Sequence, residues 1–253
     1  MHIVAFTDLF GGIYMYNIVV WDCGAGGMGI LSKLMSAVVA DYRYFSDVDC
    51  DYSAMASDQL VKTGLQRAAE LINDGTDAVI ITDSNMTCAC IGILRKKYPD
   101  VLFVGYEPPV QHAVQYTVSH ALVLCSEFVK ERVGRQQFPT ATVCVIDEDK
   151  LCYGLSKRAA RSLLESALLE YEGTFDCIAL GNSRYWLFDD VLRAIFPAVK
   201  IFDGGDGVVS RVKKMFKRKN REQESTLKLT FSSNEQENRI KYCKMVGEIF
   251  KYY

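Results

Sequence analysis

The sequence predicts an α/β protein of two similar lobes, each a mainly parallel sheet flanked by helices, with a cleft between them. Three observations carry that reading. Short apolar runs alternate with amphipathic stretches along the chain, two distant segments repeat one strand-and-loop pattern, and small polar residues follow the strands.

The strand signals are apolar runs at 18–21, 78–81, 101–104, 121–124, 142–146 and 177–180. Leu31, Leu34, Met35 and Val38 recur at helical spacing, as do Val61, Leu65, Ala68 and Ile72, and then Leu164, Ala167 and Leu168. Helices between successive strands are what parallel crossovers need, and such sheets hold ligands outside the carboxyl ends of their strands.

The repeat is more specific. DAVIITDSN over 77–85 and DCIALGNS over 176–183 each run from an Asp through a buried strand to a small polar tip, and each continues as a helix. Pro99 follows Ser84 by 15 residues and Pro197 follows Asn182 by 15, each ahead of a further short strand at 101–104 and 199–202. Two such units would face two loops across one cleft and present groups to opposite sides of a bound molecule. The implied division is one lobe from 1–108 plus 204–253 and a second from 109–203, hinged at Glu107 and Pro108. The competing explanation is the general likeness of βαβ units.

Composition narrows the function classes. An apolar fraction of 49% with 24% charged residues is ordinary for a globular protein, and 29 basic against 31 acidic residues leave no global field for nucleic acid or a membrane surface. No apolar run reaches the roughly 20 residues of a bilayer span and no signal-peptide pattern opens the chain, so the expected address is the cytoplasm. Nine cysteines, an odd number without a CxxC pair, read as reduced thiols, most of them small core residues. With His2, His112 and His120 as the three histidines, no metal site is expected. The basic run 211–221 reads as a solvated helix end opposing the helix dipole, with an RNA or acidic-partner patch as the alternative.

The stretch IVVWDCGAGG over 18–27 is strand, acid, glycine-rich turn and helix. Its glycines let backbone amides approach an anion at a helix N-terminus, or simply supply a tight turn; the GxGG spacing is not a dinucleotide fingerprint. In context it resembles the FDSGVGG motif of glutamate racemases. DSNMTC over 83–88 stands in the place of that family's ACNTAS loop, YEP over 106–108 in the place of its I-E-P hinge, and GNSRYW over 181–186 in the place of its GCTHYP loop. Leu229 to Phe231 and the segment after it resemble the closing strand and helix, so the likeness spans almost the whole chain from Ile18.

The resemblance implies a member of the aspartate/glutamate racemase superfamily, needing no cofactor, that binds a small amino dicarboxylate such as glutamate between its lobes. It also implies a homodimer as the usual assembly. The family's two catalytic cysteines fall at Ser84 and Asn182, and a histidine that assists the second falls at Arg184. A thiol near pH ~8.5 can serve as base on one face and acid on the other, whereas a hydroxyl is a far weaker acid and a carboxamide exchanges no useful proton.

Asp22 matches the acid beside the substrate amine; Cys23, Asn85, Met86 and Ser183 occupy binding positions, and Tyr52 with Ser53 stands for the pair that holds the distal carboxylate. For each of these, a loop-tip hydrogen bond or helix cap is the plainer role. Three acids between Asp47 and Asp51 would repel a dicarboxylate unless Arg43 or Arg184 compensates. The expectation is therefore a degenerate racemase. The alternatives are a working racemase supplying D-glutamate for peptidoglycan with altered residues, Cys23 or Cys88 as relocated thiols, or a non-catalytic interaction module. Residues 1–16 precede the usual family start, so either Met15 begins the functional chain or the extension is an arm.

Overall fold

The computed structural model describes residues 15–135, 138–146, 150–151, 155–216 and 224–249. The N-terminal extension up to residue 14 and the 217–221 part of the basic run lie outside the described residues.

The first sheet begins with β1 (Tyr16–Asp22), α1 (Met28–Ala37), β2 (Ala40–Ser46), α2 (Ser57–Leu71), β3 (Ala78–Ile81), α3 (Ser84–Lys97) and β4 (Leu102–Gly105). The chain then builds the second sheet through α4 (Val110–Tyr116), β5 (Ala121–Cys125), α5 (Glu127–Arg135), β6 (Ala141–Val145), α6 (Lys157–Leu168) and β7 (Cys177–Leu180). A 3-10 helix (Ser183–Phe188), α7 (Asp189–Ile195) and β8 (Lys200–Asp203) complete it. The return passes through α8 (Gly205–Met215), β9 (Thr226–Phe231) and α9 (Glu235–Ile249).

Strand order is β4-β3-β1-β2-β9 in one sheet and β6-β5-β7-β8 in the other, all pairs parallel. Read from β4 and from β8, the first four strands follow the same order in both lobes, and β9 is added at one edge of the first. The sequence repeat is thus a structural one. Asp77 accepts from the Asn17 amide of β1 at 2.8 Å, and Asp176 accepts from the Val118 amide of the loop before β5 at 2.8 Å, so each acid pins the start of its strand to the neighbouring strand or its entry loop.

Both faces of each sheet are covered, which is why the strands read as unbroken apolar runs. Ile18 and Val20 pack under α1, α8 and α9, whereas Val19 and Trp21 pack with α2 and α3 on the other side. The second lobe divides in the same way, Leu122 and Leu124 on one face and Val123 and Cys125 on the other.

β2 is the strand that periodicity missed. Its sequence, ADYRYFS, alternates Asp41 and Arg43 with the buried Tyr42 and Tyr44, so no apolar run marks it. The second repeat also departs from expectation, because a 3-10 helix precedes α7. Three residues per turn put Tyr185 and Phe188 on one face, inside the second lobe's core, while Trp186 rests against the first lobe's core.

Candidate functional site

At the end of β1 the buried Asp22 carboxylate organises the glycine turn. Oδ1 accepts from the Cys23 amide at 2.9 Å, Oδ2 accepts from the Gly27 amide at 2.6 Å, and the Tyr44 hydroxyl donates to Oδ2 at 2.7 Å. The turn and the start of α1 are pressed against the second lobe at Gly26 and Gly29, while Gly27 packs against Thr82 of its own lobe. A Cβ at Gly26 would lie 2.7 Å from the Arg184 nitrogen, and one at Gly29 would lie 2.5 Å from the Trp186 ring.

β3 ends at the buried Asp83, which caps α3 by accepting from the Met86 amide at 2.7 Å through Oδ1. Its other oxygen accepts from the Cys23 thiol at 3.5 Å. Burial pushes the Asp83 carboxyl up to about 6, with the nearby charge of Asp22 adding to the effect; the Met86 amide and Arg184 act in the opposite sense.

The second repeat supplies the counter-charge. Asn182, at the end of β7, caps the 3-10 helix, its Oδ1 accepting from the Arg184 amide at 2.9 Å. This orients Arg184 so that Nη2 donates to Cys23 Sγ at 3.6 Å. Burial raises the pKa of Cys23 well above that of an ordinary thiol and the charges of Asp83 and Asp22 raise it further, while Arg184 opposes them. At neutral pH the thiol keeps its proton.

Cys23 and Arg184 open onto a cavity of about 600 Å³ whose walls come from both lobes. Gly24 and Ala25 of the glycine turn, the 48–51 loop after β2, Leu187, and Asn238, Lys241 and Tyr242 of α9 complete the lining. The wall carries the cations Arg184 and Lys241 and the carboxylates Asp49 and Asp51. Serine contacts hold Asp49 below the usual carboxylate range. A second cavity, of about 810 Å³, is lined by Glu107, Pro108, Asp203 and Lys214 among others, and by none of the loop-tip residues.

The remaining sequence candidates fall into three groups. Ser84 and Asn85 are fully buried at the first turn of α3; Ser84 Oγ and Asn85 Nδ2 have no hydrogen-bond partner, and Asn85 Oδ1 accepts from Ser126 Oγ of the second lobe at 2.7 Å. Ser183 is buried too, and Met86 is a core residue of the first lobe. Tyr52 is buried away from the cavity wall: its hydroxyl donates to Asp47 at 2.7 Å and accepts from the Trp21 indole at 2.9 Å, which leaves it no donor for a ligand. Ser53 is tied to Asp51 at 2.6 Å.

Arg67 binds both oxygens of the buried Asp47, at 2.8 and 3.0 Å, and so neutralises one of the three acids. Arg43 donates to the Leu71 carbonyl, so the compensating cation at the cavity is Arg184. Cys88 packs half-buried against the apolar layer of the second lobe, where burial lifts its thiol to about 11. Among the described residues no cluster of His, Cys, Asp or Glu is able to hold a metal, and no helix is long and apolar enough to cross a membrane.

From the sequence Asp83 is a candidate activator of Ser84, whereas the structure bonds it to the Met86 amide and the Cys23 thiol and leaves Ser84 Oγ without a partner. Cys50 and the α9 wall went unmarked, since nothing in the spacing singles out Tyr242 or Lys241.

No protein-family model matches the chain. It is 28% identical over 212 residues to a glutamate racemase of Roseiflexus sp. (strain RS-1), with 76% of each chain covered. To that of Campylobacter curvus (strain 525.92) it is 23% identical over 221 residues, covering 78% of this chain and 81% of the relative. Two solved structures share the fold. Thermus thermophilus glutamate racemase in complex with β-chloro-D-alanine superposes with a TM-score of 0.75 at 16% identity over 92% of both chains. The Francisella tularensis enzyme in complex with D-glutamate gives 0.73 at 18% identity over 94% of both. The relatives span most of the chain and the solved structures share its two-lobed fold, so the chain is similar to glutamate racemases along most of its length.

Proposed function

We propose that this protein is a glutamate racemase-like binder of a small α-amino acid, glutamate being the first candidate, and that it does not racemise its ligand by two opposed thiols. The cavity shared by the lobes carries the reading: Arg184 and Lys241 suit a carboxylate, and Asp49 and Asp51 suit an ammonium group. The loss of racemisation is supported by the two strand-end positions. Ser84 has no histidine among its hydrogen-bond partners to activate it, and Asn182 is a carboxamide committed to a cap.

D-glutamate formation from L-glutamate, followed by circular dichroism, tests the second half. The parent protein is expected to be inactive, and the Ser84→Cys/Asn182→Cys variant to gain measurable racemisation. A parent rate of ~1 s⁻¹ or more would overturn the reading. Thermal shift with L- and D-glutamate tests the first half, since a ligand at 100 times its Kd adds about 2.7 kcal/mol. Absence of any shift would favour an interaction module.

A further inference from the structure

Resting on the amino-acid-binding reading above, we propose that Cys23, Asp83 and Arg184 form a one-sided proton-exchange unit. It swaps the α-hydrogen of a bound amino acid with solvent and leaves the configuration unchanged. Three independent placements converge on it. Cys23 lines the cavity at the end of β1, and its thiol meets Asp83 from the end of β3 at 3.5 Å. Arg184, from the other lobe, lies 3.6 Å from the same sulfur and lines the same cavity. Cys88 sits in an apolar layer, and Cys50, the other thiol on the cavity wall, has neither Asp83 nor Arg184 among its charged neighbours. One equipped thiol serves one face.

The step balances without a co-reactant. The thiol proton passes to Asp83 Oδ2; the ligand Cα–H bond breaks as a new S–H bond forms. The electron pair moves into the ligand carboxylate as an enediolate, whose charge Arg184 offsets. The sulfur-bound hydrogen exchanges with solvent through the open cavity; collapse of the enediolate then breaks the S–H bond and returns a solvent hydrogen to the same face of Cα, and the proton held by Asp83 passes back to the thiolate. Because the thiol rests protonated, the exchange is slow by racemase standards.

The titratable and charged groups around Cys23 and Asp83 are Asp22, Arg184, Tyr44, Tyr52, Tyr242 and Cys88. Asp83 is placed near 6 while bonded to the thiol, so exchange should fall as pH drops through about 6.

The test incubates L- or D-glutamate with the protein in D2O, follows loss of the α-proton by NMR, and assays the recovered amino acid for chirality. Exchange of one enantiomer with retention is expected. Cys23→Ser should lower it about a hundredfold, and Asp83→Asn, which preserves the cap, should slow it and flatten its pH profile near 6. A thermal shift without exchange overturns this inference and leaves the binding reading intact; exchange accompanied by racemisation overturns it as well.

If glutamate gives no shift, the binding reading fails and a ligand-free probe decides the thiol unit. Iodoacetate, a carboxylate-bearing electrophile, should label the protonated Cys23 more slowly than the exposed Cys243, yet its rate relative to neutral iodoacetamide should be higher at Cys23 than at Cys243, and Arg184→Gln should remove that carboxylate preference. An iodoacetate-to-iodoacetamide rate ratio no higher at Cys23 than at Cys243 overturns the unit.

Discussion

The two repeated loops share a backbone plan and differ in what they carry. After β3 the tip is Asp83, Ser84 and Asn85, a buried carboxylate capping a regular helix; after β7 it is Asn182, Ser183 and Arg184, a neutral cap on a 3-10 helix followed by a cation. Each first residue makes a cap bond to a backbone amide, at 2.7 and 2.9 Å, so the geometry is kept by side chains of different charge. A duplicated scaffold needs only matched caps. The chemistry is free to diverge, and here one loop carries a buried carboxylate and the other a cation, both bonded to the Cys23 sulfur.

The contact between the loops is the part easiest to break. Gly26→Ala drives a methyl group into the Arg184 backbone and the Ser183 hydroxyl, and should cost about 1–3 kcal/mol in urea unfolding, together with any glutamate-induced thermal shift.

The charge difference between the caps predicts a pH signature. Asp83 has a folded pKa of about 6, above the unfolded value of about 3.9, so its ionised form is penalised in the folded state by roughly 2–3 kcal/mol. The penalty is full above pH about 6 and vanishes as the pH falls below about 4. Asp83→Asn, which keeps the cap, should therefore raise stability by about 2 kcal/mol at pH 7.5 and leave it unchanged near pH 4, as read from thermal unfolding at each pH.

Tyr106 reaches the ends of both repeated strands in different ways: its amide donates to the Ile81 carbonyl at 2.8 Å, whereas its hydroxyl donates to the Leu180 carbonyl at 2.9 Å, lies 3.1 Å from Asp203 Oδ1 and accepts from the Gly204 amide at 3.2 Å. Tyr106→Phe should cost about 1–2 kcal/mol in urea unfolding, by stranding the hydroxyl's partners.

The smallest effects separate cap from passenger. Asn182→Ala should cost about 1 kcal/mol through the lost cap, whereas Ser84→Ala, which removes a buried hydroxyl without a partner, should leave stability unchanged or slightly raised. Equal losses at the two positions would show that Ser84 is held by a contact as strong as a cap.

Much of this fold could be read before the structure, because buried parallel strands must be apolar on both faces; Ala78–Ile81 and Cys177–Leu180 announce themselves for that reason. β2 escaped because the half-buried Asp41 and Arg43 interrupt its buried Ala40, Tyr42 and Tyr44, so its signal was alternation in place of an apolar run. At the site, Cys23 and Arg184 were legible from their motifs. Tyr52 was placed near a ligand by resemblance, whereas its hydroxyl serves the buried Asp47 and Trp21, a long-range pairing that no local pattern encodes. The wall supplied by Tyr242 and Lys241 depends on the chain's last helix folding back over β2 and the glycine turn, a tertiary fact without a local signature.

The two tryptophans sit in places that make them optical probes of different events. Trp21 is sealed inside the first lobe with its indole bonded to Tyr52, so its emission should stay blue until that lobe unfolds. Trp186 lies over Gly29 across the seam between the lobes. Any parting of the lobes would wet Trp186 alone and redden its emission, so a Trp21→Phe variant would let intrinsic fluorescence follow opening and closing in real time without an attached dye.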